Sequence, residues 1–340
     1  MVRKRTITII LLLMLAAALL GFSLKRPSSV GGEITWGITF SHVFAEELGF
    51  DWKEVYVAIL DELKPTLLRL PVYWQVVEPE KGTFHFDEYD FMLDEAQKRG
   101  VNVVLVIGRR VPRWPECHIP RWAQKDSEGV QQENVRAAIF ETVERYKHFD
   151  VLSAWQVENE PFLPYFGECP FPDGAALDKE IAFVRFLDPS RPIMVTDSGE
   201  LSTWLPAAKR ADIFGTTMYR TVWSDRLSPY LGYITYPLPP KFFWLKANLV
   251  HLFYGADKPI IVSELQAEPW TPGSLKGLSS AAQQKSMSVD KFHENIAYAR
   301  AVGFPEVYLW GAEWWYLMKE EYDQPEFWEA GKEVIATSPR

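Results

Sequence analysis

The sequence has few cysteines, few histidines and no long run of basic residues, and each shortage excludes a class of protein. Cys117 and Cys169 are the only cysteines among 340 residues, so the fold is not built on disulfides and holds no four-cysteine zinc site. The 6 histidines show no metal-ligand spacing. Acidic residues outnumber basic ones by 45 to 36, and the lack of a basic tract argues against nucleic acid as a partner.

Two motifs of common enzyme classes are also missing. No glycine-rich phosphate loop follows the first predicted strand, where Trp36-Gly37-Ile38-Thr39 stands instead, and this disfavours nucleotide binding. No Gly-x-Ser-x-Gly elbow occurs, so serine hydrolysis is not supported. We therefore expect neither a cofactor nor a metal.

Aromatic residues, in contrast, are abundant. The chain holds 14 Trp, 14 Tyr and 21 Phe, which fits either a large core or a groove of aromatic faces suited to sugar rings. With 47% hydrophobic and 24% charged residues, intrinsic disorder is excluded as the main state.

The amino terminus is a separate unit. Basic residues at positions 3–5 precede an uncharged, apolar stretch at 6–24, as in a secretion signal or a membrane anchor over residues 1–26. Both readings stay open, and a buried structural helix fits the flanking charges less well. A short linker follows at 27–33. Because the positive end stays in the cytoplasm, we expect an extracytoplasmic monomer that meets the membrane only through this segment.

Residues 34–340 predict one domain in which short apolar strands alternate with helices. Eight nearly all-apolar strands favour a closed (β/α)₈ barrel, with a doubly wound open sheet as the alternative. The predicted strands are Ile34–Phe40, Thr66–Leu70, Asn102–Ile107, Leu152–Val157, Ile193–Thr196, Ile213–Thr217, Ile260–Ser263 and Val307–Trp310. The predicted helices are Trp52–Leu63, Tyr89–Arg99, Val130–Lys147, Ala175–Phe186, Trp204–Lys209, Lys241–His251 and Ala281–Val302.

Carboxylates stand at the ends of two predicted strands. Trp155-Gln156-Val157-Glu158-Asn159-Glu160-Pro161 ends the fourth strand, and alternation points Glu158 and Glu160 to one face. Glu264 directly follows the β-branched run of the seventh strand. Since active sites of such barrels lie at the carboxyl ends of the strands, two carboxylates there could flank one glycosidic bond, as glycoside hydrolysis requires.

With these motifs the sequence resembles clan A glycoside hydrolases, close to families 5, 35, 39 and 42, over residues 34 to about 315. The resemblance implies a retaining hydrolase of β-linked oligo- or polysaccharides. In it, Glu160 is the general acid and base and Glu264 the nucleophile. Asn159 contacts the sugar 2-hydroxyl, and Arg69 and Tyr219 keep Glu264 ionised. The resemblance also implies that Trp310 forms the floor of the sugar site.

Several alternatives remain open at this point. Glu158 competes as the acid, Glu268 as the nucleophile or a ligand of sugar hydroxyls, and Trp314 or Trp315 as the platform. Trp74 and His118 are further candidate substrate contacts. The arginines of the loop at 108–122 fit a rim that orders the groove, and they could also favour an acidic sugar.

Cysteine placement gives one more expectation. Cys117 follows the third strand and Cys169 the fourth, so both loops belong to the same catalytic rim, where export would allow a disulfide. Two separate buried thiols are the alternative. For the whole chain, the alternative function is a catalytically silent sugar-binding barrel, or a barrel enzyme of other chemistry. The sequence leaves the sugar, the linkage and endo or exo action open.

Overall fold

The computed structural model describes residues 25–27, 30–224 and 226–339. The predicted signal or anchor, residues 1–26, lies almost wholly outside these ranges. Within the ranges described, none of the helices has the length and apolar character needed to cross a membrane.

Ten strands are described, and eight of them form the barrel. The strands are β1 Thr35–Thr39, β2 Leu67–Pro71, β3 Asn102–Ile107, β4 Leu152–Val157, β5 Ile193–Asp197, β6 Ile213–Met218, β7 Thr221–Val222, β8 Ile234–Thr235, β9 Ile260–Gln266 and β10 Glu306–Trp310. The short strands β7 and β8 pair with each other outside the barrel. Each of the other eight corresponds to one predicted strand, and β9 runs past the predicted end so that Glu264 lies inside it.

The barrel closes because β1 pairs in parallel with both β2 and β10. This excludes the open doubly wound sheet, and the predicted (β/α)₈ architecture is confirmed. One interior layer consists of inward-facing apolar side chains from five strands: Val104, Ala154, Met194, Ile261 and Tyr308. Polar side chains replace them towards the carboxyl ends of the strands, and this change places the candidate site there.

Helices surround the barrel and bury their apolar faces against it. They are α1 His42–Leu48, α2 Trp52–Ala58, α3 Trp74–Val77, α4 Asp87–Arg99, α5 Glu128–Tyr146, α6 Gly174–Leu187, α7 Leu205–Ala208, α8 Ser228–Leu231, α9 Pro240–Tyr254, α10 Ser280–Gln283, α11 Val289–Val302, α12 Ala312–Glu321 and α13 Glu326–Ile335. A π-helical turn, Ile59–Leu63, continues α2.

Two helix predictions need correction. The single helix Ala281–Val302 is two helices, because the Ser288 hydroxyl accepts a hydrogen bond from Lys291 N and starts α11 afresh. The two C-terminal helices α12 and α13 were not predicted. Trp314 and Trp315 of α12 were considered as alternative sugar platforms, whereas both are buried, as is Trp328 of α13.

Candidate active site

Arg69 of β2 is the centre of a buried hydrogen-bond network at the carboxyl end of the barrel. Its Nη1 donates to Glu264 Oε1 over 2.9 Å, and its Nη2 donates to Asn159 Oδ1 over 2.8 Å. Its Nε donates to Gln156 Oε1 over 2.8 Å. The guanidinium is fully buried, so its charge is balanced inside the protein by Glu264. One side chain thus ties the ends of β2, β4 and β9 together.

Glu264 reaches this network through a bulge in β9. Relative to both neighbouring strands, β9 carries one extra residue between Val262 and Leu265. By simple alternation from the inward-facing Ile261, Ser263 and not Glu264 would point into the barrel. The bulge changes the direction of the following side chain, so that Glu264 faces the centre.

The second oxygen of Glu264 is also bonded. Tyr219, directly after β6, donates from its hydroxyl to Glu264 Oε2 over 2.8 Å. Burial and the neighbouring Glu264 raise the pKa of Tyr219 well above its usual value, so the phenol stays a donor. Arg69 thus holds one oxygen of Glu264 and Tyr219 the other, so both oxygens are fixed at the barrel centre.

The end of β4 separates two glutamates that alternation would place together. Both Glu158 and Glu160 adopt positive φ, 58° and 42°, so the strand pattern stops at Val157. Glu158 turns away from the centre and accepts hydrogen bonds from the backbone N–H groups of Arg109 and Arg110, over 2.8 and 2.7 Å. The predicted common face is therefore wrong, and Glu158 is not placed to act as the acid.

Space for the Glu158 carboxyl depends on a glycine. Gly108 has a φ of 122°, and an added Cβ would collide with the carboxyl of Glu158. A residue with a side chain at this position would push Glu158 from the two amides.

Glu160 instead faces the barrel centre from a buried position. Its Oε1 accepts a hydrogen bond from the Thr217 hydroxyl over 3.1 Å, and its backbone N–H donates to Thr196 over 2.9 Å. Burial, followed by the charges of Glu264 and Glu116, raises the pKa of Glu160 well above its usual range. Its surroundings consequently favour the protonated form of Glu160 more than those of an ordinary carboxyl group.

Asn159 has a fixed amide orientation. Its oxygen accepts from Arg69 and lies 3.2 Å from both Gln156 Nε2 and the Thr196 hydroxyl. Its Nδ2 therefore points the other way and donates to Glu116 Oε2 over 3.0 Å. Among the residues that the structure describes, no second acceptor is paired with Nδ2, which leaves its other N–H for a ligand.

Glu116 and Arg113 belong to the loop between β3 and α5, and sequence reasoning did not single them out. Burial raises the pKa of Glu116 to about 7, with Glu264 adding to the effect and Arg110 opposing it. Both residues adopt positive φ, 71° for Glu116 and 88° for Arg113. Their place in the arginine-rich loop was visible, on either side of Trp114 and Pro115, but nothing local indicated that they turn inwards.

Arg113 closes one side of the centre. Its guanidinium lies 4.2 Å from the Trp310 ring centre and 3.7 Å from that of Phe44. It pairs with the buried carboxylates of Glu268 and Glu313, the latter over 3.3 Å. Trp310 donates to Glu268 Oε1 over 2.7 Å, and 7% of its surface is exposed.

The same cluster contains two buried polar atoms without a hydrogen-bond partner in the described part of the chain, Arg113 Nε and Glu268 Oε2. They offer one donor and one acceptor next to the Trp310 ring. Within the residues described, no group of three or more His, Cys, Asp or Glu side chains could hold a metal ion.

The two cysteines join the loops that carry these residues. Cys117 Sγ lies 2.10 Å from Cys169 Sγ, and the two Cα atoms are 5.3 Å apart. Nearby, Glu168 N donates to Pro115 O over 2.9 Å, and Arg110 donates to the carbonyls of Leu163 and Phe166. The loops after β3 and β4 thus form one connected wall. Glu116 directly precedes Cys117, which forms the covalent link to Cys169.

Other candidates lie outside the centre. Trp74 packs between the barrel and α5, where its indole N–H donates to Glu78, so the expected substrate contact is not supported by its position. His118 packs on Tyr73 with 4.4 Å between ring centres, and its Nε2 lies 3.0 Å from Arg113 O. Burial lowers its pKa to about 4, so it is neutral and holds the loop in place.

The alternative platforms are excluded by burial. Trp314 and Trp315 are fully buried in α12, and their indole N–H groups donate to Gln283 and to the carbonyl of Ala267. Of the three tryptophans proposed as the sugar platform, Trp310 is thus the one that lies at the barrel centre.

Comparison with known proteins gives one family match. The glycoside hydrolase family 42 model, described as β-galactosidase, matches residues 54–142. The chain is similar to clan A glycoside hydrolases. The curated β-galactosidase BglY of Alicyclobacillus acidocaldarius subsp. acidocaldarius is 28% identical over 141 residues, covering 36% of this chain and 20% of the relative. The resemblance inferred from the sequence is confirmed.

Solved structures of such hydrolases share the fold. A β-galactosidase from Rahnella sp. R3 is 14% identical with a TM-score of 0.57, covering 92% of this chain and 57% of that protein. An exo-β-1,4-mannosidase from Opitutaceae bacterium strain TAV5 is 15% identical with a TM-score of 0.58, covering 92% of this chain and 60% of that protein. The chain therefore spans a part of each relative's length, and the barrel is the part they have in common.

Proposed function

We propose that this barrel is an O-glycosyl hydrolase that cleaves β-glycosidic bonds by double displacement with retention of configuration. The observation that supports this most is the contrast between two buried carboxyl groups at the barrel centre. Glu264 accepts hydrogen bonds from Arg69 and Tyr219 on its two oxygens, which suits a nucleophile. Glu160 has a raised pKa, which suits a proton donor. Retaining hydrolysis needs this division of roles.

In the first step, a Glu264 oxygen attacks the anomeric carbon while Glu160 gives its proton to the departing glycosidic oxygen. The result is a glycosyl ester on Glu264. In the second step, Glu160 takes a proton from water, the water oxygen attacks the anomeric carbon, and the bond to Glu264 breaks. The available N–H of Asn159 would bind the 2-hydroxyl of the sugar during both steps.

For the substrate we propose a β-linked oligo- or polysaccharide, with terminal β-galactosides as the first to test. The named relatives include β-galactosidases and an exo-mannosidase, which supports this choice. Arg113 Nε and Glu268 Oε2 could bind hydroxyl groups of the sugar above Trp310.

Aromatic rings outline a path for the rest of the substrate. Tyr219, Trp270, Phe166 and Trp114 follow one another with ring centres 5.1, 5.4 and 6.0 Å apart. The path leads from the partner of Glu264 to Trp114 at the rim, where 62% of the side chain is exposed. Such faces stack on sugar rings, so the path fits the leaving part of a carbohydrate.

Turnover of a panel of nitrophenyl β-glycosides, with the product anomer followed by NMR, tests the proposal. We expect hydrolysis of at least one member with the β-anomer formed first, and loss of turnover in Glu264→Gln. A first-formed α-anomer would contradict retention. Sugar binding without turnover of any glycoside would support the silent barrel instead. The separation of the Glu160 and Glu264 carboxyl groups is a second test, since retaining enzymes keep the two groups about 5–5.5 Å apart.

We also propose that the protein is exported and acts outside the cytoplasm as a monomer. Support comes from the basic and then apolar amino-terminal sequence and from the joined cysteines, because disulfides persist in oxidising compartments. Mass spectrometry of the mature amino terminus, together with cell fractionation and light scattering, would test location, processing and oligomeric state. A reduced, cytoplasmic protein would contradict this proposal and leave the catalytic one standing.

A further inference from the structure

Helix α9 exposes an apolar stripe that the barrel leaves uncovered. Leu245, Leu249, Leu252 and Phe253 recur at the spacing of one helix face, and we call them the α9 stripe. The first two are half-buried, whereas 62% of Leu252 and 61% of Phe253 are exposed. The opposite face of the helix, with Phe243, Ala247 and Val250, is buried against the barrel. The stripe is therefore not part of the core.

The exposed end of the stripe, Leu252 and Phe253, lies at the end of the barrel away from the catalytic centre. Leu252 and Phe253 occupy the last turn of α9, just before the chain enters β9 at Ile260. The catalytic carboxyls, in contrast, stand at the carboxyl ends of the strands. A surface that covered the stripe would leave the barrel mouth accessible.

The apolar amino-terminal sequence reaches the protein at the same helix. Residues 6–24 lead directly into Lys25, whose carbonyl accepts a hydrogen bond from Asn248 Nδ2 of α9 over 2.7 Å. The guanidinium of the next residue, Arg26, lies 6.0 Å from the ring centre of Trp244, also on α9. Further along, Gly31 N donates to Gly303 O over 3.1 Å, in the turn that precedes β10. These contacts hold the end of the apolar segment beside the stripe.

Basic side chains accompany this apolar surface. Lys25 and Arg26, which contact α9, are both exposed. An apolar helix face with basic neighbours is the chemistry that binds the boundary between lipid headgroups and acyl chains. Anionic headgroups would meet the lysine and the arginine, and Leu252 and Phe253 would enter the apolar layer.

We propose that the α9 stripe rests on a lipid bilayer, to which the segment at 6–24 attaches the protein, so that the catalytic mouth points away from the membrane. This inference depends on the proposed export with a retained segment, and it is independent of the proposed catalysis. It gives the anchored chain a defined orientation. A flexible tether alone would not do so.

Photocrosslinking of the full-length protein in nanodiscs of phosphatidylcholine and phosphatidylglycerol tests this arrangement. One variant carries Phe253→p-benzoylphenylalanine. The matched control carries the same change at Phe171, which is 87% exposed in the loop after β4, near the mouth. We expect lipid adducts severalfold more abundant at position 253 than at 171. Turnover of a nitrophenyl glycoside in the same samples reports on the catalytic proposal separately.

Each other outcome would overturn the proposal. Equal lipid adducts at both positions would mean that the barrel has no preferred orientation. Adducts at 253 with residues 6–24 of the same chain would show that the segment itself covers the stripe, and adducts with a second copy would show a dimer. Failure of the full-length chain to remain in nanodiscs would show that the barrel is not held at a membrane.

Discussion

Asn159 Nδ2 donates a hydrogen bond to Glu116 Oε2 over 3.0 Å, and both residues are buried. The contact brings a third carboxyl group next to the two that the proposed hydrolysis uses. Since the charge of Glu116 contributes to the raised pKa of Glu160, the loop after β3 influences the acid as well as the asparagine beside it.

We expect Glu116→Gln to shift the pH dependence of activity. Burial and the charges of Glu264 and Glu116 raise the pKa of Glu160, so removal of one charge lowers it. Activity is lost as Glu160 deprotonates, and the basic limb of kcat/KM therefore moves to lower pH. Glu294→Gln, an exposed carboxyl on α11, should leave the profile unchanged. If the basic limb of Glu116→Gln stays in place or moves to higher pH, Glu116 does not raise the pKa of Glu160.

Glu160→Ala should slow substrates in proportion to their need for a proton. We expect a loss of about 10²–10⁴-fold with poor leaving groups and a much smaller loss with activated aryl glycosides. Added azide should restore turnover and give a glycosyl azide of retained configuration. Glu158→Gln serves as the control, because Glu158 faces backbone amides, and it should show the same effect on both substrate types. Equal losses on both types in Glu160→Ala would contradict its assignment as the acid.

Arg113→Ala should destabilise the fold strongly. The change leaves the buried carboxylates of Glu268 and Glu313 without their cation, which typically costs about 3–5 kcal/mol. Urea unfolding measures the loss. Arg136→Ala removes a pair with the exposed Glu133 and should cost about 0–1 kcal/mol. Similar losses in the two variants would mean that the cluster at Trp310 contributes little to stability.

Removal of the link between the loops should affect both stability and catalysis. The double change Cys117→Ser and Cys169→Ser opens a loop of 52 positions and should reduce the free energy of unfolding by about 2–4 kcal/mol. Because Glu116 is adjacent to Cys117, kcat/KM should also fall. Unfolding of the unsubstituted protein with and without reductant separates the effect of the covalent link from that of the serine side chains. Two free thiols in denatured, unreduced protein from the exported fraction would contradict the pairing.

Trp114→Ala should weaken binding of extended substrates alone. Trp114 is the exposed end of the aromatic path from Tyr219, so we expect a higher KM for an oligosaccharide and an unchanged KM for a nitrophenyl monosaccharide. Phe186→Ala, at an exposed position near the end of α6, is the control and should change neither constant. If KM rises equally for both substrates, the path does not extend to the rim.

The sequence predicts the barrel well because the information is local. Each buried parallel strand is a short apolar run, so all eight could be located from the pattern of residues within a few positions. The observed bounds differ from the predicted ones by a few residues at several strand ends. The difference is largest at β9, where the polar pair Ser263 and Glu264 looked like the end of the strand. The bulge that keeps Glu264 in the strand is defined by the register of β9 against β6 and β10. The sequence of β9 alone does not contain this register.

The candidate site, too, was predictable from the sequence only in part. The positions of Glu160, Glu264, Arg69, Tyr219 and Trp310 at strand ends followed from the sequence, because the strand order brings these ends to one side of the barrel. Strand alternation could not separate Glu158 from Glu160, although the family resemblance favoured Glu160. The difference comes from backbone turns at positive φ and from the amides of Arg109 and Arg110.

By itself, then, the sequence determined the eight strands, the place of the two carboxylates and the resemblance to clan A hydrolases. Tertiary structure decided what surrounds them. Arg113 meets Glu268 across 155 positions and Glu313 across 200, and Glu116 meets Asn159 across 43. Such contacts depend on the path of a loop through space, and the burial they create shifts the pKa values of the carboxyl groups. No periodicity along the chain encodes them.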